Sequence, residues 1–328
     1  MRRVLHRPRP FRRMIRCRSR DGWRRRPARA APPGNSGETP LPLWGPIQQA
    51  MLSYKERTWV MAVLTKNQIK AGHWYQPDGT PAHRMATADG GGERVTTIRD
   101  AKRLGLFPSV TSILGILAKP GLETWKLNQV ALATLRAPRQ EAESDEYWCN
   151  RVRDVAFEQV EEAADLGGAI HAALELAMIG EPFDPAMAVY VDPVVAWKQK
   201  TGITVIEREF RVVNHDHGFA GTADVFFRYG ENGVGILDYK TRKTVPGKPV
   251  GAYEDQAMQL AAYAATYWGE ENIGRVLAAN VFVSTTEPGR VEVVKHANIP
   301  RDWEAFKLVA ALWRYVKGYD PRAGNAGK

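Results

Sequence analysis

Two aspartates and a lysine lie in two neighbouring apolar segments whose sequence is typical of a β-hairpin. Asp224 ends Gly221-Thr222-Ala223-Asp224, and Asp238 and Lys240 lie in Asp238-Tyr239-Lys240-Thr241. A turn centred on Glu231 puts Asp224 opposite Asp238, and the two-residue period of a strand puts the Lys240 amine on the same face. Facing carboxylates in a buried hairpin need a counter-charge, which a divalent cation with oxygen ligands, Mg²⁺ or Mn²⁺, would supply. The adjacent ammonium could then stabilise a pentavalent phosphate or orient a water molecule.

The same residues have a second interpretation that involves no metal. In an exposed hairpin, Asp224 and Asp238 would simply pair with Lys240 and Arg242. Register decides between the two, because a slip of one residue moves a side chain to the other face of the sheet.

Further candidate ligands come from a long helix and from the strand before the hairpin. His171 and Glu175 lie on a stripe beside the apolar face of the helix at 145–178. An imidazole is a good ligand for Mn²⁺ beside carboxylates. A lone histidine on a helix can equally be a core residue whose hydrogen-bonding groups already have partners. Glu209 offers another carboxylate, or a solvated side chain on an edge strand.

The helix after the hairpin carries polar residues on one face at three- and four-residue spacing, namely Gln256, Gln259, Tyr263 and Tyr267. They would contact a substrate or form a polar helix flank. Two other motifs are less informative. His215-Asp216-His217 precedes Gly218 and alternates its side chains, which indicates a turn. Gly90-Gly91-Gly92 lacks the strand and helix of a phosphate-binding loop and indicates a flexible joint.

The elements that must position these residues follow from hydrophobic periodicity. Apolar residues of the helix at 145–178 recur with spacings of four and three, which predicts one buried face. Further on, the period changes to two, and a three-strand meander, a helix and more strands predict an α/β sandwich with a mixed central sheet. The predicted helices are 123–135, 145–178, 185–200 with Pro193 as a candidate interruption, 252–268 and 303–316, and the predicted strands are 203–213, 221–228, 234–239, 275–284 and 290–296.

Composition divides the chain into unequal parts. We expect an Arg/Pro-rich disordered extension at residues 1–60, an accessory segment at 61–105 containing the short ordered piece His73-Trp74-Tyr75, the main domain at 106–318 and a flexible tail at 319–328. Residues 1–35 hold 13 arginines, no lysine and one acid, Asp21. This tract is an unpacked arm, a nucleic-acid-binding arm, an organelle-targeting segment or an over-extended gene start.

The remainder of the chain is not basic, since residues 36–328 hold 33 basic and 35 acidic residues. A strongly basic body that binds nucleic acid over its whole surface is therefore excluded. Two cysteines, Cys17 and Cys149, can form neither a disulfide framework nor a four-thiolate iron–sulfur cluster. No apolar run is long enough to span a membrane, and we expect a reducing cytoplasm.

Four blocks in the same order resemble the PD-(D/E)XK nucleases, specifically the RecB-like branch that includes phage exonucleases and the mitochondrial genome maintenance exonuclease. The resemblance covers roughly residues 105–315, and alanine replaces the proline of the family name at Ala223. The four blocks are Pro108-Ser109-Val110-Thr111-Ser112-Ile113-Leu114 with Lys119-Pro120 and Trp125, Gly167-Gly168-Ala169-Ile170-His171, the two aspartate motifs above, and Gln259-Leu260-Ala261-Ala262-Tyr263.

This resemblance implies a restriction-endonuclease-like core, a mixed sheet flanked by helices, and a Mg²⁺ or Mn²⁺ site without an iron–sulfur cluster. It implies that His171, Asp224, Asp238 and the Tyr239 carbonyl bind metal and that Asp224, Asp238 and Lys240 are catalytic; Glu209 transfers less securely. It further implies that Gln259 and Tyr263 contact the DNA backbone or support the site, and Ser109, in the first of the four blocks, is a further substrate-binding candidate. Because the body is not basic, we expect a local groove to hold the DNA, and Lys240, Arg242, Lys243 and Lys248 follow the metal site closely enough to line it.

We therefore expect a metal-dependent DNA exonuclease in the cytoplasm of a bacterium or phage-infected cell, acting in DNA replication, recombination or repair. Its expected partners are single-stranded DNA or duplex ends, together with a single-strand-binding or annealing protein or a helicase, and no membrane. The alternatives are a restriction- or repair-type endonuclease on the same fold and a non-catalytic DNA-binding protein.

Overall fold

The computed structural model describes residues 73–324, except for the side chains at 159, 161, 323 and 324. The chain divides into two units, Met1–Met61 and Ala62–Lys328, and every described residue belongs to the second. The predicted extension at 1–60, the start of the predicted accessory segment and the end of the predicted tail lie outside the described residues.

A five-stranded mixed sheet flanked by helices forms the centre of this unit, as the α/β prediction requires. Its strand order is β5-β6-β7-β8-β9, and the β7–β8 pair is parallel while the other pairs are antiparallel. Two small two-stranded sheets, β1–β4 and β2–β3, lie outside it. The strands are β1 Trp74–Tyr75, β2 Arg84–Ala86, β3 Glu93–Val95, β4 Phe107–Pro108, β5 Thr204–Asn214, β6 Phe219–Tyr229, β7 Gly233–Arg242, β8 Val276–Ser284 and β9 Val291–His296.

Helix boundaries follow from capping residues in the sequence. Ser144 begins the longest helix by accepting a hydrogen bond from the Tyr147 amide, and Asn298 accepts one from the Arg301 amide at the last helix. The predicted interruption at Pro193 does not occur, because the helix continues through it. The helices are α1 Ile98–Leu104, α2 Val110–Leu114, α3 Pro120–Arg136, α4 Asp145–Met178, α5 Ala188–Thr201, α6 Glu254–Trp268 and α7 Ile299–Lys317, with 3₁₀ turns at Pro185–Met187, Ile273–Arg275 and Pro321–Gly324.

The sheet buries both of its faces. On one face Phe226 and Ile236 pack with Leu260 of α6 and Phe306 of α7, and on the other Leu237 packs with Leu174 of α4. A strand covered on both faces reads as an apolar run, and a polar residue inside it therefore needs partners within the core.

The prediction that α4 has one continuous buried face is wrong for the middle of the helix. Ile170 and Leu174 are buried against the sheet, and Ala156 is buried in a separate small cluster with α3. Between these ends Val160 is 40% exposed and Ala163 is also exposed. Two different partners cover the two ends of one periodic stripe, so periodicity alone overestimates its burial.

Three predictions about the flanking segments need correction. Trp74 and Ala101 belong to the main core, so residues 73–105 are an integral part of the fold. The Gly90-Gly91-Gly92 joint is the turn of the β2–β3 hairpin, in which the Thr87 amide donates to the Gly92 carbonyl. Tyr319, from the predicted flexible tail, is anchored because its hydroxyl lies 2.9 Å from the Leu106 carbonyl.

Candidate metal centre

The candidate site begins where the β6–β7 ladder stops. The strands pair from Val225 with Leu237 to Tyr229 with Gly233, which is the register predicted from a turn at Glu231. One residue further, the carboxylate of Asp224 accepts a hydrogen bond of 2.7 Å from the Tyr239 amide. A side chain thus replaces a backbone carbonyl at the point where backbone pairing ends.

His171 and Glu209 meet Asp224 at this point. Potential ligand atoms of these three residues all lie within 4.8 Å of one another. His171 Nε2 lies 2.8 Å from the Tyr239 carbonyl, and Nδ1 lies 3.8 Å from Asp224 Oδ2. Because a carbonyl only accepts, Nε2 carries a proton, and Nδ1 is the ring nitrogen on the side of Asp224.

The Tyr239 carbonyl, which the resemblance implies as a metal ligand, has a different role in this structure. It accepts the hydrogen bond that orients the His171 ring. Metal-binding histidines commonly donate their second ring N–H to such a backbone carbonyl, which sets the tautomer. In this structure the Tyr239 carbonyl therefore positions His171, and its role as a metal ligand stays a prediction.

Glu209 reaches the cluster through an unusual backbone conformation. Its φ of +44° lies in the left-handed region, which non-glycine residues seldom occupy, and it falls between the paired residues Arg208 and Phe210 on β5. Strained backbone of this kind concentrates at functional sites. Arg208 forms an ion pair with Glu175 of α4, and this pair joins the strand to the helix beside the cluster.

Asp238 is more enclosed than Asp224. It is 3% exposed, and Lys240 Nζ lies 2.6 Å from its oxygens. The side-chain amides of Gln259 and Asn280 also donate to it, at 3.2 Å and 2.6 Å. Of the ion pairs in the metal-free interpretation, Asp238–Lys240 therefore exists, with Asp238 buried and the Lys240 side chain 31% exposed. Asp238 is not one of the three clustered candidate ligands.

The charges of the site are unbalanced. Burial, followed by the charge of Asp238, raises the pKa of Asp224 to about 7. Burial alone would lower the pKa of Lys240, but Asp238 and Asp224 outweigh it and leave that pKa raised, so Lys240 remains an ammonium. Asp238 and Asp224 thus both act on the Lys240 ammonium, while Glu209 adds a third carboxyl group beside Asp224. His171 and Glu209 are the members open to solvent, which gives a cation access.

The donor set fits a divalent cation. Carboxylate oxygens suit Mg²⁺ and Mn²⁺, and the added imidazole nitrogen favours Mn²⁺ over Mg²⁺. A cation held by His171, Glu209 and Asp224 would also stabilise the ionised form of Asp224, which burial and the charge of Asp238 disfavour.

The predicted substrate contacts have mixed outcomes. Gln259 lies in the site, through its bond to Asp238. Tyr263 is 3% exposed and lies beneath β6, where a Cβ added to Gly221 would come within 2.7 Å of its ring. Buried so deeply, Tyr263 supports the site instead of facing a substrate.

The other three predicted substrate-binding residues, Ser109, Arg242 and Lys243, lie in three different environments. Ser109 is 2% exposed and its hydroxyl caps α2 by accepting from the Ser112 amide, which is a structural role. The Arg242 guanidinium lies 4.7 Å from the centre of the Tyr253 ring and donates to the Gly251 carbonyl, so it holds a loop in place. Lys243 is exposed, as is Lys248. His215-Asp216-His217 forms the predicted turn between β5 and β6.

Asn280 is the site residue that sequence reasoning missed. It is fully buried at the centre of β8, in parallel register with Asp238. A single amide inside the apolar run Val276-Leu277-Ala278-Ala279-Asn280-Val281 was the available signal, because an apolar strand retains a polar residue only where a partner satisfies it.

No protein-family model and no curated protein matches the chain. Fourteen chains of solved structures match it, one of them titled "Crystal structure of SSO0001". That chain is 18% identical, and the match covers 61% of the present chain and 88% of the other, with a TM-score of 0.30. Similarity this low carries no argument about function. Within residues 73–324, no helix combines the length and hydropathy needed to cross a bilayer.

Proposed function

We propose that this chain is a Mg²⁺- or Mn²⁺-dependent deoxyribonuclease of the PD-(D/E)XK type that degrades DNA from its ends. The observation that carries the proposal is the meeting of His171, Glu209 and Asp224 beside a buried Asp238–Lys240 pair, where β6 and β7 separate. Three carboxyl groups with one ammonium are a poor structural ion pair but a suitable cation site.

Each residue of the site has a definite task in this proposal. His171, Glu209 and Asp224 would hold the cation, with Asp238 beside them as the further carboxylate that the resemblance implies as a ligand. A divalent cation supplies Lewis acidity toward a phosphate oxygen and lowers the pKa of water. Lys240, kept protonated by Asp238, donates to the negative charge that develops on the phosphate and is not suited to act as a base.

DNA would be held locally, not by the whole surface. The body carries a slight excess of acidic residues, so the exposed Lys243 and Lys248 beyond the end of β7 are the basic side chains suited to contact the backbone. A small basic patch beside an open strand end fits contact with a chain end better than recognition of an extended duplex.

The proposal is tested with end-labelled linear DNA and closed circular DNA, each incubated with protein and Mg²⁺, Mn²⁺ or chelator. We expect the linear substrate to be degraded from its ends and the closed circle to survive, in the presence of metal only. Asp238→Asn should be inactive, while Lys295→Gln, at an exposed position on β9 outside the proposed DNA contacts, should retain activity. Cutting of the circle would instead indicate an endonuclease, and binding without cleavage would indicate a DNA-binding protein.

A further inference from the structure

Asp238 is the end point of a hydrogen-bonded chain that crosses three strands. His296 Nε2 of β9 lies 2.7 Å from Asn280 Oδ1 of β8, and Asn280 Nδ2 lies 2.6 Å from Asp238 Oδ2 of β7. Asn280 pairs with Val294 across the sheet, so His296 is one pleat further along on the same face. Neither Asn280 nor His296 lies among the three clustered ligands.

The donor and the acceptor of both hydrogen bonds follow from the chemistry of Asp238, at which the series ends. A carboxylate only accepts hydrogen bonds, so the NH₂ group of Asn280 faces Asp238 and its oxygen faces His296. That oxygen in turn only accepts, so His296 carries its proton on Nε2. Asn280 is fully buried, which leaves its oxygen no water to replace the histidine.

This arrangement restricts how Asp238 can turn. An ionised carboxylate has about four lone-pair positions. The amides of Gln259 and Asn280 and the ammonium of Lys240 occupy three of them, and about one is left for a cation or a phosphate-bound group. Without Asn280, one oxygen would lose its fixed donor and the carboxylate could rotate.

We propose that Asn280 and His296 are positioning residues of the metal centre: His296 holds the Asn280 amide, and the amide holds the Asp238 carboxylate in the orientation that the cation requires. This inference rests on the proposed function, since it assumes that Asp238 acts on a bound cation. Loss of a supporting residue of this kind typically weakens metal affinity about 10- to 100-fold.

The test is calorimetric titration of Mn²⁺ into chelator-stripped protein in the absence of DNA. Asn280→Ala and His296→Leu should weaken Mn²⁺ binding by about 10-fold or more. His296→Gln should restore affinity to within about threefold, because the glutamine amide can donate from the place of Nε2. The double variant Asn280→Ala/His296→Leu should bind no more weakly than Asn280→Ala, since the histidine acts through the asparagine.

Lys295→Gln is the matched control, because Lys295 is exposed beside His296 on the same strand. Circular dichroism and the melting temperature in chelator establish that each variant is folded. If Asn280→Ala fails to fold, comparison of His296→Leu with His296→Gln still tests the positioning role, because His296 is only half-buried.

The outcomes separate this inference from the proposed function. Wild-type protein that binds Mn²⁺ while His296→Leu binds it equally well would overturn the positioning role alone. A lower melting temperature in chelator with an unchanged Mn²⁺ affinity would also overturn it, because that is what a purely structural role predicts. Wild-type protein that binds no Mn²⁺ would overturn both.

Discussion

Asp224 and Asp238 have the same side chain, but their surroundings differ. Asp238 accepts hydrogen bonds from Lys240, Gln259 and Asn280. Asp224 accepts one from the Tyr239 amide and is mostly buried, with its side chain 13% exposed. The two aspartates therefore differ when no metal is bound, because three donors stabilise the charge of Asp238 whereas burial opposes that of Asp224.

The raised pKa of Asp224 predicts a pH-dependent stability of the metal-free protein. An unfolded aspartate releases its proton near pH 4, whereas the folded Asp224 keeps it to about pH 7. The native state therefore binds more protons across this window, and the free energy of unfolding falls as the pH rises from about 4 to 7. In chelator, Asp224→Asn should lack this fall and be more stable than wild type at pH 8 by roughly 2–4 kcal/mol.

The measurement is urea unfolding in chelator at several pH values between 4 and 8. The two curves should approach each other toward pH 4, because Asp224 is then neutral in the folded state and about half-protonated in the unfolded state. Asp238→Asn is the contrasting variant and should be less stable than wild type at pH 7, because it leaves the Lys240 ammonium without its buried partner. If the free energy of unfolding changed with pH equally in wild type and Asp224→Asn, the pKa of Asp224 would not be raised by its surroundings.

Lys240 should matter for chemistry more than for binding. Its ammonium acts on charge that develops in the transition state, so Lys240→Ala should lower the maximal cleavage rate by about 10²- to 10³-fold. Mn²⁺ and DNA affinity should change only severalfold, as measured by calorimetry and by fluorescence anisotropy. Lys295→Ala, at an exposed lysine on β9 outside the proposed DNA contacts, is the matched control. Cleavage by Lys240→Ala at a rate near that of wild type would refute the catalytic role.

At the scale of elements, the site depends on how closely α4 approaches β7. His171 lies one turn after Gly167, and a Cβ at Gly167 would be 2.9 Å from Thr241 Oγ1. At the adjacent Gly168, nothing lies within 4 Å of an added Cβ. Alanine substitutions at these two positions therefore distinguish the effect of helix propensity from the effect of close packing.

Gly168→Ala should stabilise the protein by about 1 kcal/mol, because alanine is the better helix former. Gly167→Ala gains the same propensity but pushes α4 from the strand, so we expect a net loss of about 1 kcal/mol and weaker Mn²⁺ binding. Removing Oγ1 with Thr241→Ala should rescue Gly167→Ala. Thermal unfolding and Mn²⁺ titration check both effects, and equal stability of the two glycine variants would contradict the packing argument.

For the whole molecule, the positive charge and the candidate site belong to different parts of the chain. All 13 arginines of residues 1–35 precede the described body, and the site is formed entirely by residues from His171 onward. We expect a variant lacking residues 1–60 to fold and cleave DNA, because Trp74, the second described residue, already packs in the core.

Salt dependence distinguishes an idle extension from a DNA-binding arm. If the arginines meet phosphates, full-length protein should show a much steeper fall of log affinity with log salt than the truncated protein. We expect equal slopes, measured by anisotropy on labelled DNA. An insoluble or inactive truncated protein would show instead that the domain begins earlier than residue 61.

Local interactions made much of this protein predictable from its sequence. The bounds 145–178 predicted for the long helix are those observed, and the β6–β7 register is the one predicted from a turn at Glu231, with pairing that ends one residue before Asp224 and Asp238. Helical periodicity, a capping serine and a short hairpin turn act between residues near in sequence, so they can be read without knowing the rest of the fold.

The tertiary structure alone decided which residues complete the site and which leave it. Asn280 reaches Asp238 across 42 residues because a crossover helix returns β8 parallel to β7. Glu209 reaches His171 and Asp224 through a left-handed backbone that its residue type does not favour. Arg242 has the charge of a DNA contact, but its guanidinium packs on Tyr253. Each outcome depends on strand order and on contacts between distant segments, which the spacing of residues in the sequence does not show.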